Sequence, residues 1–154
     1  MMTPEEKLKS LCIDLPGLPK PLGSYVPFVK TGSLVYLSGM LPLKDGKLLK
    51  TGRVGESVSL DEAVLCARTA AINALAVLKS AVGSLDNVKR CVKISGFVAS
   101  SSDFTDQPKV INGASDFLFE VFGDAGRHAR AAVGVNVLPM SSPVEVEFIF
   151  EVGE

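Results

Sequence analysis

The sequence has few of the residues that build metal centres and disulfide frameworks. Its 154 residues include three cysteines, Cys12, Cys66 and Cys91, and a single histidine, His128. The cysteines are far apart, form no CxxC pair, and cannot complete a zinc site with one histidine. The pattern therefore predicts no metal site, and it predicts buried, reduced thiols in a cytoplasmic protein.

Concentrated positive charge is also missing. The chain carries 16 basic and 17 acidic residues, and the lysines and arginines are scattered along it. Nucleic-acid-binding proteins gather such residues into a patch or stripe, so no nucleic-acid partner is indicated. No apolar run approaches the length that spans a bilayer, and the charged start MMTPEEKLKSLC lacks the apolar core of a signal peptide. We therefore expect a cytoplasmic protein without a membrane partner.

Apolar residues, by contrast, make up 47% of the chain. A chain of this length fits a single domain over residues 1–154, with a core large enough to fold without disulfides. The apolar content is high for a monomer, so it favours an oligomer whose subunit contacts bury the surplus surface.

Three helices are predicted from their end signals. Residues 3–6 (TPEE) predict a short helix within an N-terminal extension over residues 1–20. Residues 59–62 (SLDE) form a capping box, which starts an apolar repeat of helical spacing that ends at Gly83. A second long helix is expected over about residues 106–122.

Strands are expected before and between these helices. Residues 26–30 predict an edge strand because they include a proline, and the continuously apolar residues 34–38 predict a strand buried on both faces. A short strand is expected at 52–54. Residues 88–99 predict a long strand, bent at Gly96.

Two alternating runs form the C-terminal stretch. The odd-numbered residues of 131–137 and the even-numbered residues of 144–150 are apolar, which predicts two strands with one face on the core. The break between them contains two prolines, so we expect a hairpin with a loop of about six residues. The opposite face would carry Arg130, Glu145 and Glu147, and we interpret it as the lining of a contact surface or cleft.

The order of these elements predicts an α+β fold with both long helices packed on one face of a sheet. The helix-free face is then available to a second copy of the chain.

Several spaced pieces of the chain together resemble the RidA/YjgF family of reactive-intermediate and imine deaminases, also called endoribonuclease L-PSP-like proteins. These pieces are Gly23-Ser24-Tyr25, Leu37-Ser38-Gly39-Met40-Leu41-Pro42, Asn112, Ala129-Arg130, Leu138-Pro139 and Val144-Glu145-Val146-Glu147. Their order and spacing resemble the family from about residue 20 onward. The longer N-terminal segment and the longer stretch from 100 to 110 resemble a longer branch of it.

The resemblance implies a chorismate-mutase-like α+β fold with a mixed β-sheet, assembled as a homotrimer with clefts between subunits. It implies hydrolysis of enamines and imines, such as 2-aminoacrylate, to 2-keto acids and ammonia without metal or cofactor. The family's carboxylate-binding arginine falls on Arg130, its strand-end amide on Gly39, and the carboxylate near the reacting carbon on Glu145. The cleft-lining positions fall on Tyr25, Ser38 and Asn112.

Three departures keep other functions open. Met40 stands where the family usually has glutamine, Ala132 where many members have cysteine, and His128 where proline is common. The first two favour a non-catalytic sensor that binds small carboxylates such as 2-keto acids. A ribonuclease with His128 and Glu145 as acid and base is a third hypothesis, and the absence of a basic groove counts against it.

Four of the residues named above also have a simpler interpretation. Arg130 would form a structural salt bridge with Glu151 across the hairpin. Glu145 and Glu147 would lie on a solvated strand face, and His128 would hold a structural hydrogen bond.

Overall fold

The computed structural model describes residues 1–18, 20–21 and 23–153, so positions 19, 22 and 154 of the predicted domain lie outside the described residues. The helices and strands are α1 Pro4–Ser10, β1 Phe28–Thr31, β2 Leu34–Leu37, β3 Leu43–Lys44, β4 Lys47–Leu48, α2 Leu60–Val82, β5 Val88–Ala99, α3 Gln107–Phe122, β6 Ala129–Val135 and β7 Val144–Val152. Short 3-10 turns lie at Leu85–Asn87, Gly123–Gly126 and Pro139–Ser141.

Five of the strands form one mixed sheet in the order β1-β2-β7-β5-β6. The β5–β6 pair is parallel and the other three pairs are antiparallel. Helix α2 packs on β2 and β7, and α3 packs on β5 and β6. Ile111 of α3 lies so close over Gly96 of β5 that a Cβ at Gly96 would overlap it. The predicted α+β architecture, with both long helices on one face and a short N-terminal helix, is confirmed.

The helix ends also follow the sequence signals. The Ser59 hydroxyl accepts a hydrogen bond from the Glu62 amide at 3.1 Å, and the Glu62 carboxylate accepts one from the Ser59 amide at 3.0 Å. Gly83 ends α2 with a φ of 83°, which is the left-handed region that glycine tolerates. Thr3 and Glu6 form the same reciprocal pair at the start of α1.

Helix α2 corrects one expectation about membrane segments. At 23 residues it is long and apolar enough, by length and composition, to cross a membrane, so the expectation that no run approaches that length is wrong. However, 61% of its apolar window is buried inside the fold. Its alanines pack on the sheet and on α3, as in the core helix of a folded domain.

The last two strands do not form the predicted hairpin. Strand β5 lies between them, paired with β6 on one side and with β7 on the other. Because β5 and β6 are parallel, α3 is the crossover between them. The chain then passes over the end of β5, where Met140 and Ser141 have φ values of 60° and 59°. The even-numbered residues of β7 are buried, as predicted.

The predicted facing of β6 is wrong by one residue. Arg130 pairs with Ile94, which is fully buried beneath the helices, whereas Val133 pairs with Phe97 and is 46% exposed. Arg130 and Ala132 therefore face the helices, and the valines face away. Small residues lie on the helix side because α3 crosses close to this edge of the sheet.

Three predictions about the other strands are also corrected. Strand β2 is buried on one face only, because Tyr36 is 43% exposed. Val54 forms only isolated bridges instead of a strand, and the β3–β4 hairpin around Asp45-Gly46 was not predicted. The pairing of β5 is irregular near Cys91, not at Gly96. The edge position of β1 is confirmed.

Two of the three cysteines are buried as predicted. Burial raises the pKa of the Cys66 thiol to about 11 and that of the Cys91 thiol to about 12. Cys12, in contrast, is exposed, which corrects the expectation of three buried thiols. It follows α1 in a turn with a φ of 56°.

Candidate active site

The end of strand β2 presents a backbone amide that is not used by the sheet. Ser38 is fixed because its hydroxyl donates a hydrogen bond to the Val26 carbonyl at 2.6 Å. The Met40 amide donates to the Val146 carbonyl at 2.7 Å. Between them, the Gly39 amide makes no hydrogen bond with any residue that the structure describes. It is therefore available to an acceptor that is not part of this chain's described residues.

Asn73 holds the segment that follows this amide. From α2, its side-chain amide donates hydrogen bonds to the carbonyls of Leu41 at 3.0 Å and Leu43 at 2.9 Å. Asn73 is 7% exposed, so these bonds lie in the core. Asn73 was not identified from the sequence. The feature of the sequence that could have indicated Asn73 is a single amide side chain within the alanine-rich apolar stripe of α2.

Glu145 lies against Gly39 on the helix-free face of the sheet. A Cβ built on Gly39 would be 2.9 Å from the carboxyl carbon of Glu145. Burial raises the pKa of Glu145, and the neighbouring charge of Glu147 raises it further. Among the described residues, Glu145 has no ion-pair partner. A half-buried carboxyl group of this kind is suited to exchanging protons with a ligand.

These groups line a surface depression of about 490 Å³. Its lining residues are Tyr25, Ser38, Gly39, Leu41, Pro139 and Glu145. The structure therefore brings together four of the predicted site residues.

Arg130 belongs to a second cluster, on the helix side of the sheet edge. Its Nη1 donates hydrogen bonds to the side-chain oxygen of Asn112 at 2.8 Å and to the hydroxyl of Ser115 at 3.1 Å. The alternative salt bridge with Glu151 is wrong, because no carboxylate of the described residues lies within ion-pair distance of this guanidinium. Among the described residues, the hydrogen-bond partners of this side chain are all neutral oxygens.

His128 lies beside Arg130 and is half-buried. Its Nδ1 is 2.6 Å from the Gly126 carbonyl, and its Nε2 is 2.9 Å from the Ser115 hydroxyl. Burial lowers the pKa of His128, and the positive charge of Arg130 lowers it further. Both ring nitrogens are therefore engaged, which agrees with the hydrogen-bonded role that we considered from the sequence. Ser115 was not identified from the sequence.

The two clusters do not form one cleft within a chain. Arg130 and Glu145 lie on strands separated by β5, about 10 Å apart at the usual strand spacing. Their partners on β5, Ile94 and Phe97, are three residues apart and thus face opposite sides of the sheet. The expectation that Arg130 and Glu145 share one face is therefore wrong.

No metal-binding cluster is present in residues 1–18, 20–21 and 23–153, since no three His, Cys, Asp or Glu side chains converge there. The groups that can act on a ligand here are the Arg130 guanidinium, the Gly39 amide and the Glu145 carboxyl group. The absence of a cofactor stays a prediction.

Comparison with protein families gives a match over residues 5–152. The matching model is that of YjgF/chorismate mutase-like proteins, and its description adds a provisional endoribonuclease activity. The chain belongs to the RidA/YjgF family. This membership confirms the resemblance to the family and the chorismate-mutase-like fold.

Individual relatives in the RidA/YjgF family cover most of the chain. Protein TCP17 of Trypanosoma cruzi is 43% identical over 94% of this chain and 91% of that protein. The crystal structure of Atu1372 from Agrobacterium tumefaciens, a protein of unknown function, is 43% identical with a TM-score of 0.90 and covers 99% of this chain and 93% of that one. The 2-iminobutanoate/2-iminopropanoate deaminase of Dermatophagoides farinae is 31% identical over 89% of this chain and 92% of that protein.

Proposed function

We propose that this protein hydrolyses reactive enamines and imines of the 2-aminoacrylate type to 2-keto acids and ammonia. The observation that carries the proposal is the Arg130 guanidinium, which is held by Asn112 and Ser115 and has no acidic partner among the described residues. A 2-imino acid supplies the carboxylate that such a guanidinium binds bidentately. The relative named as a 2-iminobutanoate/2-iminopropanoate deaminase supports this substrate class.

The proposed reaction takes place in a cleft between two copies of the chain, assembled as a cytoplasmic homotrimer. Arg130 of one copy would complete the depression that Gly39 and Glu145 form in the next. Two observations support this arrangement: the clusters are separate within a chain, and the helix-free face exposes Val29, Tyr36 and Val133. Exposed apolar side chains of this size favour an interface between subunits.

The chemistry needs only positioning and proton transfer. Arg130 and the Gly39 amide hold the substrate carboxylate, so the imine carbon lies near Glu145. An enamine first tautomerises to its imine, which moves one proton from the nitrogen to the terminal carbon. Water then adds to the carbon of the protonated imine, and the Glu145 carboxylate takes the proton that the water loses, which gives a neutral carbinolamine. Glu145 returns this proton to the nitrogen, the carbon–nitrogen bond breaks, ammonia leaves, and the hydroxyl proton passes to solvent as the keto group forms.

The test generates 2-aminoacrylate in situ and follows the release of keto acid. Arg130→Ala is expected to reduce kcat/KM roughly 100-fold, since misplacing a substrate by about 1 Å has an effect of that size. Lys109→Ala, which removes an exposed cation from the same α3 helix, is the matched control and should keep wild-type activity. Unchanged activity in Arg130→Ala would end the assignment.

The assembly has its own test. Sedimentation at equilibrium is expected to give three times the chain mass of 16.2 kDa. Val133→Glu places a charge on the helix-free face and is expected to shift the mass towards one chain. A wild-type protein that sediments only as single chains would contradict the proposed cleft.

The same protein preparations distinguish the proposed deaminase from two other functions. Calorimetric binding of 2-ketobutyrate without turnover of any imine would select a 2-keto acid sensor. A ribonuclease is disfavoured because both ring nitrogens of His128 are already engaged in hydrogen bonds.

A further inference from the structure

A relay of three hydrogen bonds runs from the backbone to the Arg130 guanidinium. The Gly126 carbonyl lies 2.6 Å from His128 Nδ1, the Ser115 hydroxyl lies 2.9 Å from His128 Nε2, and Arg130 Nη1 lies 3.1 Å from the same hydroxyl. This relay joins the turn before β6, the edge strand β6 and helix α3.

The chemistry of the acceptors fixes where each proton lies. A carbonyl can only accept, so His128 Nδ1 must carry a proton and donate to Gly126. In the neutral ring Nε2 is then an acceptor, and it takes the hydroxyl proton of Ser115. A lone pair of the Ser115 oxygen is left to face Arg130 Nη1. Helix α3 thus presents an acceptor, not a donor, to the guanidinium.

We propose that Ser115 and His128 are positioning residues that hold Arg130 in the conformation that receives the substrate carboxylate. The inference rests on the proposed function. Asn112 accepts the second Nη1 proton at 2.8 Å, so both hydrogens of that nitrogen are engaged. The Nε and Nη2 hydrogens then form the edge that can bind a carboxylate through two parallel hydrogen bonds. The histidine takes the place of the proline that is common in the family.

The positioning of Arg130 depends on His128 being neutral. The charged groups that line its groove are Asp116 on α3, Arg130 on β6 and Arg127, which pairs with Asp124 at 3.4 Å. A protonated His128 would place a second positive charge beside Arg130 and would turn the Ser115 proton away from the ring. Carboxylate binding needs Arg130 in the held conformation, which a neutral His128 supports. By reciprocity, carboxylate binding must therefore lower the pKa of His128.

The single histidine makes this linkage measurable by NMR without site assignment. The 15N shifts of the free protein are expected to show the Nδ1-protonated tautomer above the pKa of His128. Addition of 2-ketobutyrate should move the ring titration to lower pH, and Arg130→Gln should abolish that movement.

Steady-state kinetics supply the second readout. Ser115→Ala is expected to raise KM for 2-aminoacrylate about tenfold, the usual effect of losing one hydrogen bond to a charged group, with a smaller change in kcat. It should also weaken the tautomer preference of His128. Ser115→Thr keeps a hydroxyl and should restore both. Ser80→Ala, which removes a hydroxyl that donates a hydrogen bond to the Val77 carbonyl within α2, is the control.

The outcomes separate this inference from the proposed function. If the wild type turns over imines but Ser115→Ala leaves KM and the His128 titration unchanged, the positioning role is overturned and the deaminase function stands. If 2-ketobutyrate moves the His128 titration through Arg130 but no imine is hydrolysed, the positioning role stands and the deaminase function fails. A wild type that neither binds 2-ketobutyrate nor hydrolyses imines overturns both.

Discussion

Replacing Gly39 with alanine is expected to disable the site while the fold remains intact. The added Cβ would overlap the Glu145 carboxyl group, with its carbon 2.9 Å away and the Cγ atom 3.1 Å away. The φ of Gly39 lies outside the left-handed region, so alanine can adopt this backbone without strain. The end of the Glu145 side chain must therefore move, while the strand end stays in place.

The expected losses of stability and of activity in Gly39→Ala follow from that geometry. Moving a half-buried side chain off its preferred rotamer costs about 0.5–1.5 kcal/mol. For a chain of this length that lowers Tm by roughly 2–5 °C. Displacing the proton-transfer group by about 1 Å should reduce kcat roughly 100-fold. Activity is thus expected to fall far more than stability.

The assay compares keto-acid release and thermal unfolding in three proteins. Gly17→Ala is the matched control, because no atom of the described residues, apart from Gly17 and its two chain neighbours, lies within 4 Å of the added Cβ, and it should equal the wild type in both measurements. A Gly39→Ala protein with kcat within threefold of wild type would refute the role of Glu145. A fall in Tm of more than about 10 °C would show that the backbone itself was disturbed.

Three further predictions concern buried contacts and charge. Asn73→Ala removes the hydrogen bonds to the carbonyls of Leu41, which keeps the Leu43 amide as a donor, and Leu43, and it should lower the free energy of unfolding by roughly 1–3 kcal/mol in urea titrations. Gly113→Ala places a Cβ against the Val64 carbonyl between the two long helices and should cost about 1–3 kcal/mol by the same measurement, and a neutral result would contradict the close helix packing. Because burial and Glu147 raise the pKa of Glu145, the folded state binds that proton more tightly than the unfolded state, and the stability this gives at low pH is lost as pH rises through the folded pKa. Glu145→Gln should therefore raise Tm at pH 7 but not below pH 4, while kcat falls about 100-fold.

The parts of the fold that depend on neighbouring residues could be predicted from the sequence. The capping box of Ser59 and Glu62 and the stop at Gly83 involve atoms within one turn of helix, so the pattern contains the whole interaction. The edge position of β1 follows in the same way from Pro27, which directly precedes it.

The facing of β6 could not be predicted because it is decided by distant contacts. Alternation gives two faces but does not say which one meets the helices. Here α3 lies so close to the sheet that Gly96 has no room for a side chain beneath Ile111. Ala132 therefore faces inward, and the larger Val133 faces outward. The predicted hairpin is wrong for a related reason. Strands that are consecutive in the sequence often pair, but here the α3 crossover places β6 on one side of β5, and β7 pairs with the other side.

The candidate site also contains both residues that the sequence predicts and residues that only distant contacts reveal. Arg130, Gly39 and Glu145 belong to sequence motifs, and so they could be named in advance. Ser115 and Asn73 act across 15 and 30 or more residues of chain, and no local pattern connects them with their partners. Long-range hydrogen bonds of this kind become visible only when the helices are placed on the sheet.

The contrast between the exposed Cys12 and the buried Cys66 and Cys91 has a practical consequence. With thiol pKa values near 11 and 12, the buried pair stays protonated and shielded at neutral pH, so a maleimide dye should attach once per polypeptide. The number of photobleaching steps in an immobilised particle would then count its polypeptides directly, and Cys12→Ser should remove the signal.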